Sequence, residues 1–173
     1  LQNVHAVIWT TTPWTLPSNR AIAYGDDHDY TIIEVINGTE LIPNGMRLLL
    51  AKDLVSEVVT TLGIGNYGII DQVKGGNLQG TLCQHPWHKH GYDFPVPMLP
   101  GEHVTTEAGT GLVHTAPSHG IEDFIVGQQF GLEIPENVQG NGIYASHVPL
   151  FAGQHIFKAG PDILAKLTEA GAL

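Results

Sequence analysis

The segment GTGLVHTAPSHGIEDF, residues 109–124, places two histidines and two carboxylates within ten residues, directly after a glycine-rich turn. The apolar pair before His114 predicts a short buried strand with this histidine at its end. Pro117 stops the strand, and a helix is expected to open within the next three residues, so that Asp123 falls in its first turn. The helix dipole favours a carboxylate at that position. The pattern fits a functional strand–turn–helix junction, and it fits a purely structural junction with a capping acid equally.

The segment WTTTPWTLPSN, residues 9–19, is the second unusual feature of the sequence. Its first nine residues contain four threonines, two tryptophans and two prolines, a composition that packs poorly in a generic core. The apolar run over residues 4–9 predicts a buried strand, so the three consecutive threonines would alternate between two faces at its end. Pro13 would then force the chain out into a loop. Hydroxyl groups at a strand end suit a small polar ligand, while a threonine-rich edge strand is the structural alternative.

The composition excludes several classes of protein. Seven basic residues against 17 acidic residues give a net charge of -10, which argues against a protein that grips a nucleic-acid backbone by itself. The lone cysteine, Cys83, allows no internal disulfide and is typical of a reducing cytoplasm. No apolar stretch is long enough to span a membrane and no signal peptide is recognisable, so we expect no membrane partner. The chain begins with Leu1 directly before a strand, which indicates a piece of a longer polypeptide.

Hydrophobic periodicity and turn residues predict a mainly β domain with helices, and we expect a single domain over residues 1–173. Strands are predicted at residues 4–9, 30–36, 46–50 and 67–73, and helices at residues 53–62, 118–130 and from 161 to about 170. Residues 75–100 are expected to be loop-rich, because they are punctuated by Gly75, Gly76, Pro86, Pro95, Pro97 and Pro100. Many short strands with few helices favour a closed β-barrel core decorated by helices.

Two groups of side chains could bind a metal ion, and a metal-dependent hydrolase is therefore one alternative. The first group, around Cys83, lacks a second ligand pair at zinc-finger spacing. The second group, around His114, would leave the threonine-rich segment without a role. A serine hydrolase fits less well, because Ser118 lies in no Gly-x-Ser-x-Gly elbow. The two groups are Cys83, His85, His88 and His90, and His114, His119 and Asp123.

The two segments together resemble the editing domains of the class I aminoacyl-tRNA synthetases for branched aliphatic amino acids. These domains combine a threonine-rich segment with an element Gly-Thr-Gly-x-Val-His-x-Ala-Pro-x-His-Gly-x-Glu/Asp-Asp, and residues 109–123 match that element. After Thr10–Thr12 the chain continues Pro-Trp-Thr-Leu-Pro, whereas valyl and leucyl relatives place Arg-Pro, an acid and Thr near this point. The resemblance is therefore closest to the isoleucyl type. The synthetase signatures His-x-Gly-His and Lys-Met-Ser-Lys-Ser have no match in this chain.

The resemblance implies hydrolysis of valine wrongly attached to isoleucine tRNA, and of valyl-adenylate. Valine differs from isoleucine by one methylene, which is too little for a single binding site to separate the two amino acids. The isoleucyl enzymes are the standard example of a second, smaller site that hydrolyses the wrongly attached amino acid. The implied partners are the 3′ end of isoleucine tRNA and the rest of the synthetase chain in the cytoplasm. The implied domain needs no cofactor, since ATP is used outside it. A non-catalytic module that docks the tRNA end is the further alternative.

The resemblance also implies roles for individual residues. Asp123 would bind the α-ammonium of the misattached valine, and His114 with the threonines would line a pocket too small for isoleucine. Thr11, Thr12 and Asn19 would hold the ester, the terminal adenosine and the attacking water. The implied catalytic residues are Asp123, Thr11 and Thr12, and the implied substrate-binding residues are Trp9, Thr10, Asn19, His114 and Asp123.

Overall fold

The computed structural model describes residues 2–173, which form eight strands, three α-helices and four short 3-10 helices. The strands are β1 Val4–Ala6, β2 Ala21–Tyr24, β3 Asp29–Asn37, β4 Arg47–Ala51, β5 Asn66–Lys74, β6 Leu82–Gln84, β7 Pro95–Pro100 and β8 Leu112–Thr115. The α-helices are α1 Val55–Thr61, α2 Ile121–Phe130 and α3 Gly160–Glu169. The 3-10 helices are Pro13–Ser18, Lys52–Leu54, Gly75–Leu78 and His88–His90.

The first sheet has the strand order β1–β4–β3–β5. β3 pairs antiparallel with β4 and β5, while β1 pairs parallel with β4. Four consecutive side chains of β3, Tyr30 to Ile33, are buried, which suits a strand flanked on both edges. The Asn-Gly pairs at residues 37–38 and 44–45, which are typical of hairpin turns, both belong to the β3–β4 connection, where Asn44 Oδ1 accepts the Gly38 N–H at 2.8 Å.

Helix α1 agrees with its predicted apolar periodicity. Val55, Val58 and Val59 form its buried side. Gly63 adopts a left-handed φ of 68°, and the Ile64 N–H donates to the Val59 carbonyl at 2.9 Å. This is the hydrogen-bond pattern of a helix ended by glycine, so the predicted stop at Gly63 is confirmed.

The Gly-Thr-Gly turn before β8 combines a left-handed backbone conformation with a close approach to a neighbouring strand. Gly109 and Gly111 have φ values of 78° and 73°. A Cβ on Gly111 would lie 2.3 Å from the Cβ of Ala51. The Gly111 carbonyl also accepts a hydrogen bond from Tyr30 Oη at 2.7 Å. Only glycine fits here, because the backbone turns sharply and passes directly against β4.

The second sheet has the strand order β6–β7–β2–β8, and β2 pairs parallel with β7. β7 lies within the stretch that we expected to be loop-rich, and this part of the expectation was wrong. Its sequence Pro-Val-Pro-Met-Leu-Pro contains three prolines, which lack the N–H that a ladder uses. The non-proline positions still pair, as shown by the Met98 N–H donating to the Thr81 carbonyl at 2.9 Å.

The mixed α/β content is as predicted, but the closed barrel is not confirmed. The strands of residues 2–173 form two mixed sheets, each with two edge strands, and no closed barrel is found among them. The predicted buried strand over residues 4–9 is also too long. β1 has three residues, is an edge strand and is only partly buried, while Trp9 is 66% exposed.

The chain divides into two compact units. The first comprises the N-terminal residues up to Trp9, Ile22–Thr81 and Pro97–Val113, and the second comprises Thr10–Ala21, Leu82–Val96 and His114–Leu173. Within residues 2–173, no helix combines the length and hydrophobicity needed to cross a lipid bilayer.

Candidate functional site

The second unit brings together the threonine-rich segment, the end of β8 and the start of α2. Pro13 occupies the first turn of the 3-10 helix Pro13–Ser18, where its missing N–H costs nothing. The chain that leaves this helix pairs with the end of β8, since the Arg20 N–H donates to the Thr115 carbonyl at 2.9 Å. Asn19 and His114, which are 95 positions apart in the sequence, thereby become neighbours.

His114 is the third of the four residues of β8, near the predicted strand end, and both of its ring nitrogens have side-chain partners. Nε2 lies 2.7 Å from Thr15 Oγ1, and Nδ1 lies 2.8 Å from Asn19 Oδ1. Burial lowers the pKa of His114 to about 4, and the neighbouring His85 and His119 rings contribute to the same direction. The ring is therefore uncharged at neutral pH.

Asp123 lies in the first turn of α2, as predicted, and is half-buried. Its Oδ2 accepts the Ala116 N–H at 2.8 Å. Ala116 follows His114 by two residues, so this bond holds the carboxylate beside the chain that leaves β8. The position places a negative charge at the N-terminus of α2, where the helix dipole favours it.

His119 belongs to a second hydrogen-bonded group beside the 3-10 helix. Its Nε2 lies 2.9 Å from the Oγ of Ser18, a fully buried residue. Asn137 Nδ2 donates to the same Oγ at 3.1 Å and to the Pro17 carbonyl at 3.0 Å. Burial lowers the pKa of His119, and the charge of Asp123 opposes this shift. These contacts fix the end of the 3-10 helix against the chain that precedes α2.

The three threonines lie outside any strand, so the predicted alternation between two faces was wrong. The Thr12 N–H donates to Thr10 Oγ1 at 3.1 Å, and the two hydroxyl oxygens lie 3.3 Å apart. This hydroxyl-closed turn competes with strand pairing and leads into the 3-10 helix. Thr11 and Thr12 are exposed, and Thr10 is half-buried. Trp9, in the first unit, is exposed.

The sequence analysis missed three residues of this region: Thr15, Ser18 and Asn137. Thr15 follows Thr12 by one helical turn, and this spacing could have identified it. Ser18 lies within the threonine-rich segment, but nothing in the segment indicated its burial. Asn137 is 119 positions away from Ser18 and belongs to no motif, so no local signal could have found it.

The first candidate metal group does not converge on one point. His85 is buried, its Nδ1 accepts the Trp87 N–H at 3.2 Å, and its Nε2 therefore donates to the Leu16 carbonyl at 3.1 Å. Burial raises the pKa of the Cys83 thiol. Across residues 2–173, no three His, Cys, Asp or Glu side chains are grouped in a way that could hold a metal ion.

A surface cavity of about 390 Å³ in the second unit is separate from the predicted site residues. Its lining includes Cys83, His88 and Phe94. None of the threonines, His114 or Asp123 contributes to it. Its lining is drawn from β6 and from the following segment up to the first residue of β7, whereas His114, Asn19 and Asp123 lie elsewhere in the unit.

Comparison with known proteins agrees with the motif and the fold. No protein-family model matches the sequence. The chain is 51% identical over 172 residues to an isoleucine–tRNA ligase from Gluconobacter oxydans and 48% identical over 170 residues to one from Colwellia psychrerythraea. Each match covers 98% of this chain. Over almost its whole length, the chain is homologous to a segment of isoleucine–tRNA ligases.

The chain spans only 18% and 17% of the length of these two relatives. Its fold matches the crystal structure of GlLeuRS-CP1 with a TM-score of 0.73 and 13% identity, covering 98% of this chain and 83% of that one. The editing domain of Plasmodium falciparum cytosolic leucyl-tRNA synthetase, with two insertions deleted, gives a TM-score of 0.67 at 10% identity, covering 98% and 77%. The chain therefore has the fold of CP1 editing domains and is homologous to a segment of isoleucyl-tRNA synthetases.

Proposed function

We propose that this chain hydrolyses the ester bond of valine wrongly attached to isoleucine tRNA. The observation that supports this most is that the second unit contains both an uncharged His114, hydrogen-bonded at its two ring nitrogens, and a fixed carboxylate, Asp123. Asp123 accepts the N–H of Ala116, which follows His114 by two residues. An uncharged ring can border an apolar side chain, and a fixed carboxylate can bind an ammonium group. A misattached valine offers both.

Asp123 binds the α-ammonium of the aminoacyl group in this proposal. Its Oδ2 is oriented by a backbone N–H, and an ionised carboxylate can accept several hydrogen bonds, including those of a cationic group. A charge-assisted hydrogen bond of this kind is roughly twice as strong as a neutral one. Binding the ammonium fixes the ester relative to the water that attacks it, which is a positioning role.

His114 excludes isoleucine by size. Isoleucine offers the same ammonium and ester as valine, so the difference of one methylene must be detected sterically. The His114 ring is held at both nitrogens and cannot move aside without breaking a hydrogen bond. Thr10 and Trp9 are assigned to the remaining substrate contacts.

Thr11, Thr12 and Asn19 are assigned to the ester, the terminal adenosine and the water. The water oxygen attacks the ester carbonyl carbon, the bond from that carbon to the ribose oxygen breaks, and the ribose oxygen takes a proton. The products are valine and a free tRNA 3′ end. Thr11 and Thr12 suit this role because their hydroxyl groups are exposed at the start of the 3-10 helix.

The proposed partners come from the resemblance to synthetase editing domains, and the charge of the chain agrees with them. A net charge of -10 disfavours extensive contact with phosphates, so only the single-stranded 3′ end of isoleucine tRNA enters this domain. The rest of the synthetase grips the tRNA and carries out the ATP-dependent activation. Valyl-adenylate is a second substrate, because it presents the same ammonium and valyl side chain.

The test measures deacylation of pre-charged valyl-tRNA by the full-length synthetase, with Asp123→Ala compared with Glu122→Ala. Glu122 is the exposed neighbour in the same helical turn and serves as the matched control. Loss of a charge-assisted hydrogen bond predicts a roughly ten- to hundredfold slower reaction for Asp123→Ala. Glu122→Ala should deacylate at the wild-type rate, and amino-acid activation should persist in both variants.

Two outcomes would favour the alternatives. Deacylation at the normal rate by Asp123→Ala would contradict the proposed ammonium site, and a wild-type enzyme that binds but does not cleave valyl-tRNA would indicate a docking module. We also expect deacylation to persist after treatment with strong chelators. Stoichiometric zinc together with chelator-sensitive cleavage would instead indicate a metal-dependent hydrolase.

A further inference from the structure

Helix α2 packs on its own unit through a narrow part of its surface. Its buried residues are Val126 and Gly127. A Cβ on Gly127 would lie 2.8 Å from the Cβ of Pro117, so the helix backbone passes directly against the chain that leaves β8. The inner contact of α2 is therefore made by small and medium side chains, and its larger ones lie elsewhere.

Three large apolar side chains of α2 lie together on its outer face. Ile121 is 77% exposed, Phe124 is 40% exposed and Ile125 is 56% exposed. They occupy positions i, i+3 and i+4, which share one face of an α-helix. A helix whose outer face meets only water carries polar residues there. This apolar face, called the α2 outer face below, therefore indicates an interaction site.

Helix α3, in the same unit, shows the ordinary arrangement. Ile163 and Leu167 are its buried apolar residues. Among the residues of α3, all of which the structure describes, Leu164 is the single large apolar side chain that is exposed, at 44%. Charged residues, Asp162 and Glu169, share its exposed side of the sequence pattern. A single exposed apolar residue needs no partner, whereas three on one face do.

The charge around the α2 outer face selects its occupant. Residues 118–140 contain no Lys or Arg and four carboxylates, those of Glu122, Asp123, Glu133 and Glu136. RNA would bring phosphates against these carboxylates, so tRNA is a poor occupant. A second copy in symmetric contact would place the same acidic segment against itself, which is also unfavourable. A protein surface that combines apolar side chains with Lys or Arg is complementary.

The relatives have room for such a surface within one polypeptide. The chain spans only 18% and 17% of the length of the two isoleucine–tRNA ligases, so most of each relative's sequence lies outside the matched segment. We propose that the α2 outer face docks on another part of the same synthetase polypeptide, which presents an apolar surface bordered by basic residues. This inference goes beyond the proposed hydrolysis and does not depend on it.

The docking contact also bears on where the proposed ammonium site stands. Asp123 belongs to the same helical turn as Ile121 and Phe124. A contact on the outer face of this turn therefore fixes the turn, and with it the Asp123 carboxylate, relative to the part of the synthetase that docks there.

Photochemical cross-linking of full-length synthetase identifies the occupant. Ile125→p-benzoyl-phenylalanine places a photoreactive group on the α2 outer face, and Leu164→p-benzoyl-phenylalanine is the matched control on α3. After irradiation with and without tRNA, mass spectrometry maps the linked peptides. We expect the Ile125 variant to link, within one polypeptide, to a peptide that contains Lys or Arg and lies outside the 173 residues. The Leu164 variant should give no such link.

Four results would overturn the inference. They are a link between two copies, a link to tRNA alone, links only to residues within the 173, and a yield no higher than that of the Leu164 variant. The readout involves no hydrolysis, so a synthetase that fails to deacylate valyl-tRNA would overturn only the proposed function.

Cysteine reactivity provides a second readout with a smaller substitution. Ile125→Cys and Leu164→Cys are alkylated in separate full-length enzymes, and the rate at each site is followed on its own peptide and divided by its rate in denatured enzyme. Only the open fraction of a docked face can react, so we expect Ile125→Cys to react at least about tenfold more slowly than Leu164→Cys. Equal normalised rates would show that the α2 outer face stays exposed to solvent and would overturn the inference.

Discussion

His85 and His114 are two histidines with the same pKa, about 4, in different surroundings. His85 is 1% exposed, bonds the Leu16 carbonyl and the Trp87 N–H, and stacks on Tyr92 with 4.5 Å between ring centroids. His114 is partly accessible and bonds side chains instead of backbone. A depressed pKa therefore does not distinguish a site residue from a core residue. His114 differs from His85 because it is partly accessible and bonds side chains, and these two features make it the candidate site residue.

The largest expected effect concerns His85. His85→Ala removes a buried ring and leaves the Leu16 carbonyl and the Trp87 N–H unpaired, so we expect a loss of about 2–4 kcal/mol in the free energy of unfolding. Urea denaturation of the chain measures it. Any loss of valyl-tRNA deacylation should leave the rejection of isoleucyl-tRNA unchanged. Changed selectivity in a folded His85→Ala enzyme would show that the distinction from His114 is wrong.

The pH dependence of stability is a smaller effect that the same two histidines share. Their pKa is about 4 when folded and close to 6.5 when unfolded, so between these values the unfolded state binds more protons and stability falls as the pH falls. Each histidine contributes at most about 3 kcal/mol to this loss.

Denaturation of wild type, His85→Gln and His114→Gln at several pH values between 4 and 6.5 isolates these contributions from the carboxylates, which titrate in all three. Glutamine retains a hydrogen-bonding side chain without the titration. We expect His85→Gln and His114→Gln to flatten the pH dependence by a similar amount, because the two pKa values are lowered equally. An unchanged slope in His85→Gln would contradict the burial argument.

Sequence patterns within single segments correctly predicted the helices and the antiparallel strands. α1, α2, α3 and the antiparallel strands β3, β4 and β5 were each indicated by periodicity and turn residues. β7 was missed because its three prolines are typical of a loop, although a strand tolerates them where their missing N–H groups are not needed. The barrel prediction failed because strand order is a long-range property that no local pattern determines.

The candidate site shows the same limit. His114 and Asp123 could be selected from one continuous segment, and Asn19 from the threonine-rich segment. Thr15 lay in that segment too, but the assumption of a strand hid its one-turn spacing from Thr12. The hydrogen bonds from His114 to Thr15 and Asn19 depend on the pairing of Arg20 with Thr115, because this pairing brings two distant parts of the sequence together.

The measurement that tests the size filter most directly compares both esters with folded, full-length His114→Ala synthetase. Removing the ring opens space for the extra methylene, so this enzyme should begin to hydrolyse isoleucyl-tRNA. Its valyl-tRNA hydrolysis should fall less than in Asp123→Ala. If isoleucyl-tRNA stays as intact as with the wild type while the variant remains folded, His114 is not the filter and the threonines must exclude isoleucine.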